Sequence, residues 1–118
     1  MTVYVDELQR YGWVIRGQER PSCHLFTDEL DLSELHAIAA AIGMRRAWFQ
    51  DKKSAPHYDL VPQRRAAAIA AGAVPVDRET AVGIWRRRRA DVAQALAAAD
   101  VERRTALPAA SDRLHSPQ

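Results

Sequence analysis

The chain has 118 residues, of which 47% are hydrophobic, and this length and composition suit a single globular domain with one core. A net charge of +2 is too small to require a polyanion as partner, and the single cysteine, Cys23, excludes an internal disulfide. The first residues lack the pattern of a signal peptide, and no apolar run approaches the ~20 residues that span a bilayer. We therefore expect a cytoplasmic protein with no membrane partner.

The N-terminal part of the chain predicts two short strands separated by a long loop. Residues 2–5 are β-branched and aromatic, which favours a strand that ends at Asp6. Residues 7–22 combine glycine, proline and mixed polarity, which is typical of a loop, and residues 13–15 within it are a candidate short strand. His24-Leu25-Phe26 predicts the second strand of the domain.

The middle of the chain predicts a helix and a third strand. Asp31-Leu32-Ser33-Glu34 has the form of a capping box, so we expect a helix from there to Ile42. Gly43 is the expected C-terminal stop of that helix. Ala47 to Gln50 predicts the third strand, and a polar loop then leads to His57-Tyr58-Asp59.

The second half of the chain predicts two further helices around an edge strand. Residues 62–71 predict a helix that begins with proline, whose missing N–H would be unpaired at that position anyway. Val74-Pro75-Val76 predicts a strand that proline confines to the edge of a sheet. Asp77 is the expected N-cap of a third helix over residues 78–99, and residues 101–118 predict a disordered tail.

This alternation of strands and helices predicts a single α/β domain over residues 1–100. We expect a small sheet of three to five short strands, partly parallel, packed against two to three helices. The disordered C-terminal tail follows the Arg-rich third helix.

A series of short motifs lies along residues 2–76. They are Val3-Tyr4-Val5-Asp6, His24-Leu25, Asp28, Glu34-Leu35-His36-Ala37, Ile42-Gly43, Arg45-Arg46, Phe49, His57-Tyr58-Asp59 and Ala70-Ala71-Gly72-Ala73-Val74-Pro75-Val76. In this order and combination they resemble a bacterial family catalogued as domain of unknown function 4031. The resemblance implies a family-like core over residues 2–76 and implies no particular reaction.

Four residues with titratable side chains form a candidate site: Asp6, His24, His57 and Asp59. Asp6 ends a strand, and His57 and Asp59 follow the predicted third strand, so they can meet beyond the carboxyl ends of the strands. Two imidazoles and two carboxylates suit a divalent metal such as Zn²⁺, Mn²⁺ or Fe²⁺. Alternatively, His57 and Asp59 are the catalytic pair, with His57 as a general base held by a carboxylate.

A structural interpretation of these residues stands beside the functional one. A His-Tyr-Asp run can form a hydrogen-bonded knot whose aspartate caps the next helix, and Asp59 lies three residues before Pro62. The spacing matches no closed metal motif. We expect Cys23 to be a buried, inert thiol, and His36 to be a surface or half-buried residue without a ligand role.

Arginine and tryptophan side chains give a separate candidate for partner binding. Arginine binds phosphates through forked donors, so Arg86, Arg87, Arg88 and Arg89 predict contact with nucleic acid or another phosphate-containing ligand. Four consecutive helical residues spread over about 300° of arc, however, so a solvated helix face is the alternative. Trp48 and Phe49 alternate faces of the predicted strand, and an exposed Trp48 would indicate a partner contact.

Three functions are therefore carried forward. The leading hypothesis is metal-assisted hydrolysis of a phosphate-containing substrate in a polar His/Asp pocket. The first alternative is a nucleic-acid or protein-binding module that uses the Arg-rich third helix. The second is a non-catalytic regulatory or interaction domain that forms a homo-oligomer through its Ala-rich helix faces.

Overall fold

The computed structural model describes residues 2–52 and 55–115, with side chains described as far as residue 105. Its strands are β1 (Val3–Val5), β2 (Val14–Ile15), β3 (Gln18–Glu19), β4 (Cys23–Thr27), β5 (Tyr58–Leu60) and β6 (Val74–Pro75). Its helices are α1 (Ser33–Ala41), α2 (Pro62–Ala70) and α3 (Arg78–His115), with a short 3-10 helix at Arg46–Trp48.

Four strands form the main sheet, in the order β5-β4-β1-β6. Strand β4 is antiparallel to both β1 and β5, whereas β1 and β6 are parallel. Strand β6 lies at the edge of the sheet, so Pro75, which has no N–H to donate, has a neighbouring strand on one side only. The predicted α/β fold with a small, partly parallel sheet and three helices is confirmed.

Alternation along the strands divides the core into two layers. Side chains on one face of the sheet pack against α1 and α2; they are Val3, Val5, Cys23, Leu25, Tyr58 and Leu60, in contact with Leu35, Ala39 and Ala68. On the opposite face, Tyr4 and Phe26 pack against Ala81, Ile84 and Trp85 of α3. Since His24 alternates with Leu25, its side chain lies on the α3 face.

The predicted long loop between β1 and β4 contains a small hairpin. Strands β2 and β3 pair antiparallel, and the turn between them has positive φ at Arg16 (53°) and Gly17 (78°). Two central residues with positive φ are the mark of a tight hairpin turn whose twist matches the strands. An isolated bridge between Gln9 and Ser22 closes the base of this loop.

The strand predicted over residues 47–50 is wrong. Arg46–Trp48 form a 3-10 helix instead, and the N–H groups of Trp48 and Phe49 donate to the carbonyls of Arg45 and Arg46. The free edge of β4 is occupied by β5, whose Tyr58 and Leu60 both reach the core. The long-range pairing of β5 with β4 thus overrides the local strand preference of Trp48 and Phe49. Of the residues 47–50, only Gln50 forms a β-bridge, and its partner is His57.

The three helices begin near their predicted positions, but the N-terminus of α1 is capped differently from the prediction. The Asp31 carboxylate accepts hydrogen bonds from the backbone N–H and the hydroxyl of Ser33, at 2.9 and 2.5 Å, and Leu32 is the N-cap without a side-chain bond. The predicted capping box is therefore replaced by an Asx turn. Helix α2 begins at Pro62, and Asp77 caps α3 by accepting the Thr80 N–H at 2.7 Å.

Helix α3 is longer than the helix predicted over residues 78–99. Its backbone is helical to His115, and Asp100 pairs with Arg103 and Arg104 within the added part. The tail predicted as disordered covers residues 101–118, of which 116–118 lie outside the described residues. Among the described helices, this one included, none combines the length and the apolar character needed to cross a membrane.

Candidate metal centre

The register of the main sheet places three of the predicted site residues side by side. His24 of β4 lies directly opposite Asp59 of β5. Val5 of β1 lies opposite Leu25, so Asp6 falls opposite His24 on the other side, where its N–H donates to the His24 carbonyl at 3.3 Å. Cross-strand partners share a face of the sheet, so these side chains converge on the α3 face.

Asp6 binds His24 through both of its carboxylate oxygens. Its Oδ2 lies 2.8 Å from His24 Nδ1, and its Oδ1 accepts the His24 backbone N–H at 2.6 Å. Asp6 is only 4% exposed. A carboxylate on Nδ1 holds the proton there and leaves the lone pair on Nε2. Asp6 was predicted as a metal ligand, but its oxygens are engaged by His24, and the geometry gives it an orienting role.

His57 is held in the same tautomer by a different acceptor. Its Nδ1 lies 2.7 Å from the backbone carbonyl of Ala55, which accepts the Nδ1 proton. Its Nε2 lies 3.4 Å from Asp59 Oδ1, and His24 Nε2 lies 3.9 Å from the same oxygen. The side chains of His57 and Asp59 therefore face the same side of the sheet.

The distances among these groups suit a transition metal. One ligand atom from each of His24, His57 and Asp59 lies within 4.8 Å of the other two, and all three residues are half-buried. Metal–ligand bonds of about 2.1 Å in a tetrahedron place the ligand atoms about 3.4 Å apart. The observed 3.4 and 3.9 Å separations from Asp59 Oδ1 are close to this value, and the ligand atoms, which lie within 4.8 Å of one another, would draw together around an ion.

Gln50 supports Asp59 from the side. Its amide nitrogen donates to Asp59 Oδ2, and its backbone forms a reciprocal pair of hydrogen bonds with His57. Asp59 does not cap the next helix, because the N-cap of α2 is Val61 and no side chain caps it. The helix-capping part of the structural interpretation of His57-Tyr58-Asp59 is therefore wrong, whereas the contacts of His57 and Asp59 with each other, with Ala55 and with Gln50 agree with a hydrogen-bonded knot.

The electrostatics of the His57–Asp59 pair favour opposite charges. The hydrogen bond from His57 is the main cause that lowers the pKa of Asp59, against the opposing effect of burial. Burial alone would lower the pKa of His57, but hydrogen bonds to Asp59 and to the Ala55 carbonyl outweigh it, so that pKa is raised. The pair thus stabilises a positive charge at Nε2 of His57, the position at which a metal would replace the proton.

These groups open into a cleft of about 370 Å³. Its lining residues are Tyr11, Trp13, Ser22, His24, Gln50, His57 and Asp59. Behind it, Trp85 of α3 contacts the His24 ring edge-on, with centroids 5.4 Å apart. Both histidines and Asp59 thus line a cleft, and Trp85 packs against one of its lining residues, His24.

Cys23 and His36 have structural roles on the other face of the sheet. Cys23 is fully buried, and burial raises the pKa of its thiol to about 12, so it is inert. Nδ1 of His36 lies 2.8 Å from the Tyr58 hydroxyl, and its ring packs against Phe49. Both residues serve the α1 and α2 side of the sheet.

The arginine run does not form one surface. Arg88 is 5% exposed and its Nε donates to the carbonyl of Glu29 at 3.0 Å, so it is withdrawn from contact with a partner. Arg86, Arg87 and Arg89 are exposed. Trp48 is 45% exposed, as a contact between its side chain and a partner would require.

The sequence did not single out Gln50 or the Ala55 carbonyl. Gln50 reaches the site through its bridge to His57, a pairing between separated residues that no local pattern reveals. A backbone carbonyl carries no residue-type signal at all. The one hint in the sequence to the conformation at Ala55 is Pro56, because proline restricts the residue before it to an extended conformation.

Comparison with known proteins places the chain in a family. A family model described as "Protein of unknown function (DUF4031)" matches residues 3–88, which include all four site residues. No curated protein and no solved structure matches the chain. Because the family match covers most of the chain, the chain belongs to this family.

Proposed function

We propose that this member of the DUF4031 family binds one divalent transition-metal ion through His24, His57 and Asp59, and uses it to hydrolyse a phosphate-containing substrate. One observation carries the proposal. Both histidines have Nδ1 occupied by an oxygen acceptor, while both Nε2 atoms face Oδ1 of Asp59. Metal-bound histidines show this arrangement, in which the second nitrogen is held by a carboxylate or a carbonyl.

The number of ligands supports catalysis over a purely structural role. Three protein ligands leave at least one position for water, whereas structural zinc sites are closed by four. A bound Zn²⁺ or Mn²⁺ ion would lower the pKa of that water and offset the charge on phosphate oxygens. Held by His24, His57 and Asp59, the ion would thus supply a hydroxide nucleophile for attack at phosphorus; the bond to the leaving oxygen would break, and the proton released by the water would pass to that oxygen. The cleft of about 370 Å³ is large enough for a small phosphoester.

Calorimetric titration of chelator-stripped protein with Zn²⁺ and Mn²⁺ tests the metal site. We expect one ion per chain, and loss of binding in His24→Gln and in His57→Gln. His36→Gln is the matched control, because His36 lies outside the cluster and bonds Tyr58 instead. Binding that survives both ligand substitutions would reject the site.

Hydrolysis is tested separately, on metal-loaded protein with p-nitrophenyl phosphate and its diester. We expect metal-dependent turnover that Asp59→Asn abolishes. If the protein binds metal but hydrolyses neither ester, the metal site stands and this reaction class is rejected.

The alternative of nucleic-acid binding is favoured by one observation, the exposure of Arg86, Arg87 and Arg89 on α3. This alternative predicts affinity for RNA or DNA that falls steeply with salt. Unchanged affinity after substitution of these three arginines by glutamine would reject it. For either function we propose a bacterial cytoplasmic location, in keeping with a single, buried cysteine.

A further inference from the structure

A second cleft, of about 470 Å³, adjoins the metal centre. Its lining residues are Trp13, Ile15, Met44, Trp48, Gln50, Asp59, Val61 and Arg64. Trp13, Gln50 and Asp59 also line the first cleft, so the two share a wall. A ligand with one group at His24 and His57 can therefore place another group in the second cleft.

Trp48 forms a fixed aromatic surface in this second cleft. Its ring lies beneath the guanidinium groups of Arg45 and Arg64, whose central carbons are 5.8 and 5.6 Å from the ring centroid. Arg64 is itself anchored, because it donates from Nη1 to the carbonyl of Ile42 at 2.8 Å. Cation–π contacts of this kind hold the indole in place and still leave it 45% exposed, so part of the side chain stays open to a ligand.

Trp13 borders the same cleft from the hairpin. It is 38% exposed, and its carbonyl accepts the N–H of Arg20, which fixes its backbone against the second strand of the hairpin. Neither Trp13 nor Trp48 belongs to a core cluster among the described residues. Packing of the core thus does not account for either indole.

The polar groups of the second cleft lie beside these indoles. The Gln50 amide offers its oxygen as an acceptor, since its nitrogen donates to Asp59. Arg64 supplies a positive charge at the rim. Flat aromatic surfaces with a few hydrogen-bonding groups recognise a flat heteroaromatic ring, and guanidinium N–H groups can donate to the ring nitrogens of such a ligand.

We infer that the second cleft binds the base of a nucleotide whose phosphate lies at the metal centre. This inference rests on the proposed function and names its substrate class as nucleotides. The shared wall of Gln50 and Asp59 separates the two subsites, so the base and the phosphate are recognised at the same time.

Isothermal calorimetry with two ligands that resist hydrolysis tests the inference: an adenosine 5′-phosphonate and methylphosphonate, which lacks the base. Metal-loaded protein is expected to bind the nucleoside phosphonate at least about 10-fold more tightly, as base stacking on aromatic side chains provides. Trp48→Ala is expected to remove that advantage and leave the affinity for methylphosphonate and the metal stoichiometry unchanged. Trp48→Phe, which keeps a stacking ring, is expected to restore most of it, and Leu96→Ala on the exposed part of α3 is the neutral control.

Equal affinity for the two phosphonates, or an advantage that survives both Trp48→Ala and Trp13→Ala, would overturn the inference. Adenosine itself separates this failure from failure of the metal site. If the protein binds no metal, the base subsite can still be tested with adenosine. Quenching of tryptophan fluorescence by adenosine in the wild type, and its absence in Trp48→Ala, would support the base subsite. Absence of adenosine and nucleoside phosphonate binding in the wild type rejects it.

Discussion

Asp6 shows how a single buried carboxylate can prepare a histidine for metal binding. Both of its oxygens contact His24, one at the ring and one at the backbone N–H. The orientation of the His24 ring and its free Nε2 therefore depend on a residue that lies outside the proposed ligand set. Such supporting carboxylates fix the tautomer and the ring orientation of the histidine they bind.

We expect Asp6→Asn to lower Zn²⁺ affinity roughly 10- to 100-fold, since the amide holds the His24 ring less strongly. A competition titration against a chelator of known affinity measures the change. Asp31→Asn is the matched control, because Asp31 is exposed and its carboxylate bonds Ser33 and none of the site residues. Equal affinities for Asp6→Asn and Asp31→Asn would show that Asp6 has no part in the site.

The His57–Asp59 pair predicts a definite pH dependence of the metal-free protein. The pKa of His57 is raised above 6.5, so its contribution to the free energy of unfolding is full below about pH 6.5 and is lost as the pH rises through the raised pKa. The pKa of Asp59 is lowered below 3.8, so its contribution is present above that pH and is lost as the pH falls through the lowered pKa. The pair therefore stabilises most between about pH 4 and 6.5.

Urea unfolding in the presence of a chelator tests this dependence. We expect the loss of stability in His57→Gln to be larger at pH 5.5 than at pH 8. His36→Gln is expected to change in the opposite direction, since burial lowers the pKa of His36 and its protonation at low pH is unfavourable in the folded state. A His57→Gln effect that grows with pH would contradict the assigned pair.

At the scale of the residue, the sequence indicated which titratable side chains lie together and could not assign their contacts. His24, His57 and Asp59 lie together because strand ends and two-residue spacing follow from alternation. Asp6 was expected as a ligand, and its orienting role depends on the register of β1 against β4. Register is set by packing across the sheet, which a single sequence does not display.

Helix α3 combines a packed first part with an exposed stretch among the side chains described up to residue 105. Ala81, Ile84 and Trp85 contact the sheet, whereas Leu96 and Val101 are 64% and 58% exposed. The hydrophobic pattern of the helix fades after the packed part, so only its first turns are held by the core. Its second half depends on helix propensity, on Asp100 pairing with arginines and on any partner it meets.

We expect Ile84→Ala to lower the free energy of unfolding by about 2–5 kcal/mol, because it empties part of the contact between α3 and Phe26. Leu96→Ala should change it by less than about 0.5 kcal/mol, as is usual for exposed positions. Chemical denaturation of both variants gives the comparison. A large effect of Leu96→Ala would indicate that a second chain covers this half of the helix, as the homo-oligomer hypothesis requires.

At the scale of the element, predictions succeeded where a local signal was decisive. Pro62 and Asp77 mark the starts of α2 and α3, since missing donors and side-chain caps act within one turn. The strand expected over residues 47–50 failed because β5 took the edge of β4, a choice made by distant residues. The capping box at Asp31 failed because the carboxylate bonds Ser33 two residues on, an alternative that the same residues allow.

At the scale of the whole molecule, the proposed metal centre depends on the folded sheet. The ligands come from β4 and β5 and from the segment before β5, which must be paired for the three side chains to meet. A metal that binds this folded arrangement and not the unfolded chain stabilises the domain by mass action. At a free Zn²⁺ concentration of 100 times the dissociation constant, we expect about 2.7 kcal/mol of added stability.

Thermal unfolding with Zn²⁺ and with chelator measures this gain. The shift should be reversible on addition of chelator and absent in His24→Gln. An equal shift in wild type and His24→Gln would mean that the ion acts elsewhere on the molecule.

X-ray absorption of the Zn²⁺-loaded protein tests the central claim most directly, because it reports which atoms surround the ion. The geometry predicts two imidazole nitrogens, from His24 and His57, together with oxygen ligands from Asp59 and water. One imidazole should disappear from the spectrum of His57→Gln. A first shell without imidazole, or one containing sulfur from Cys23, would contradict the account.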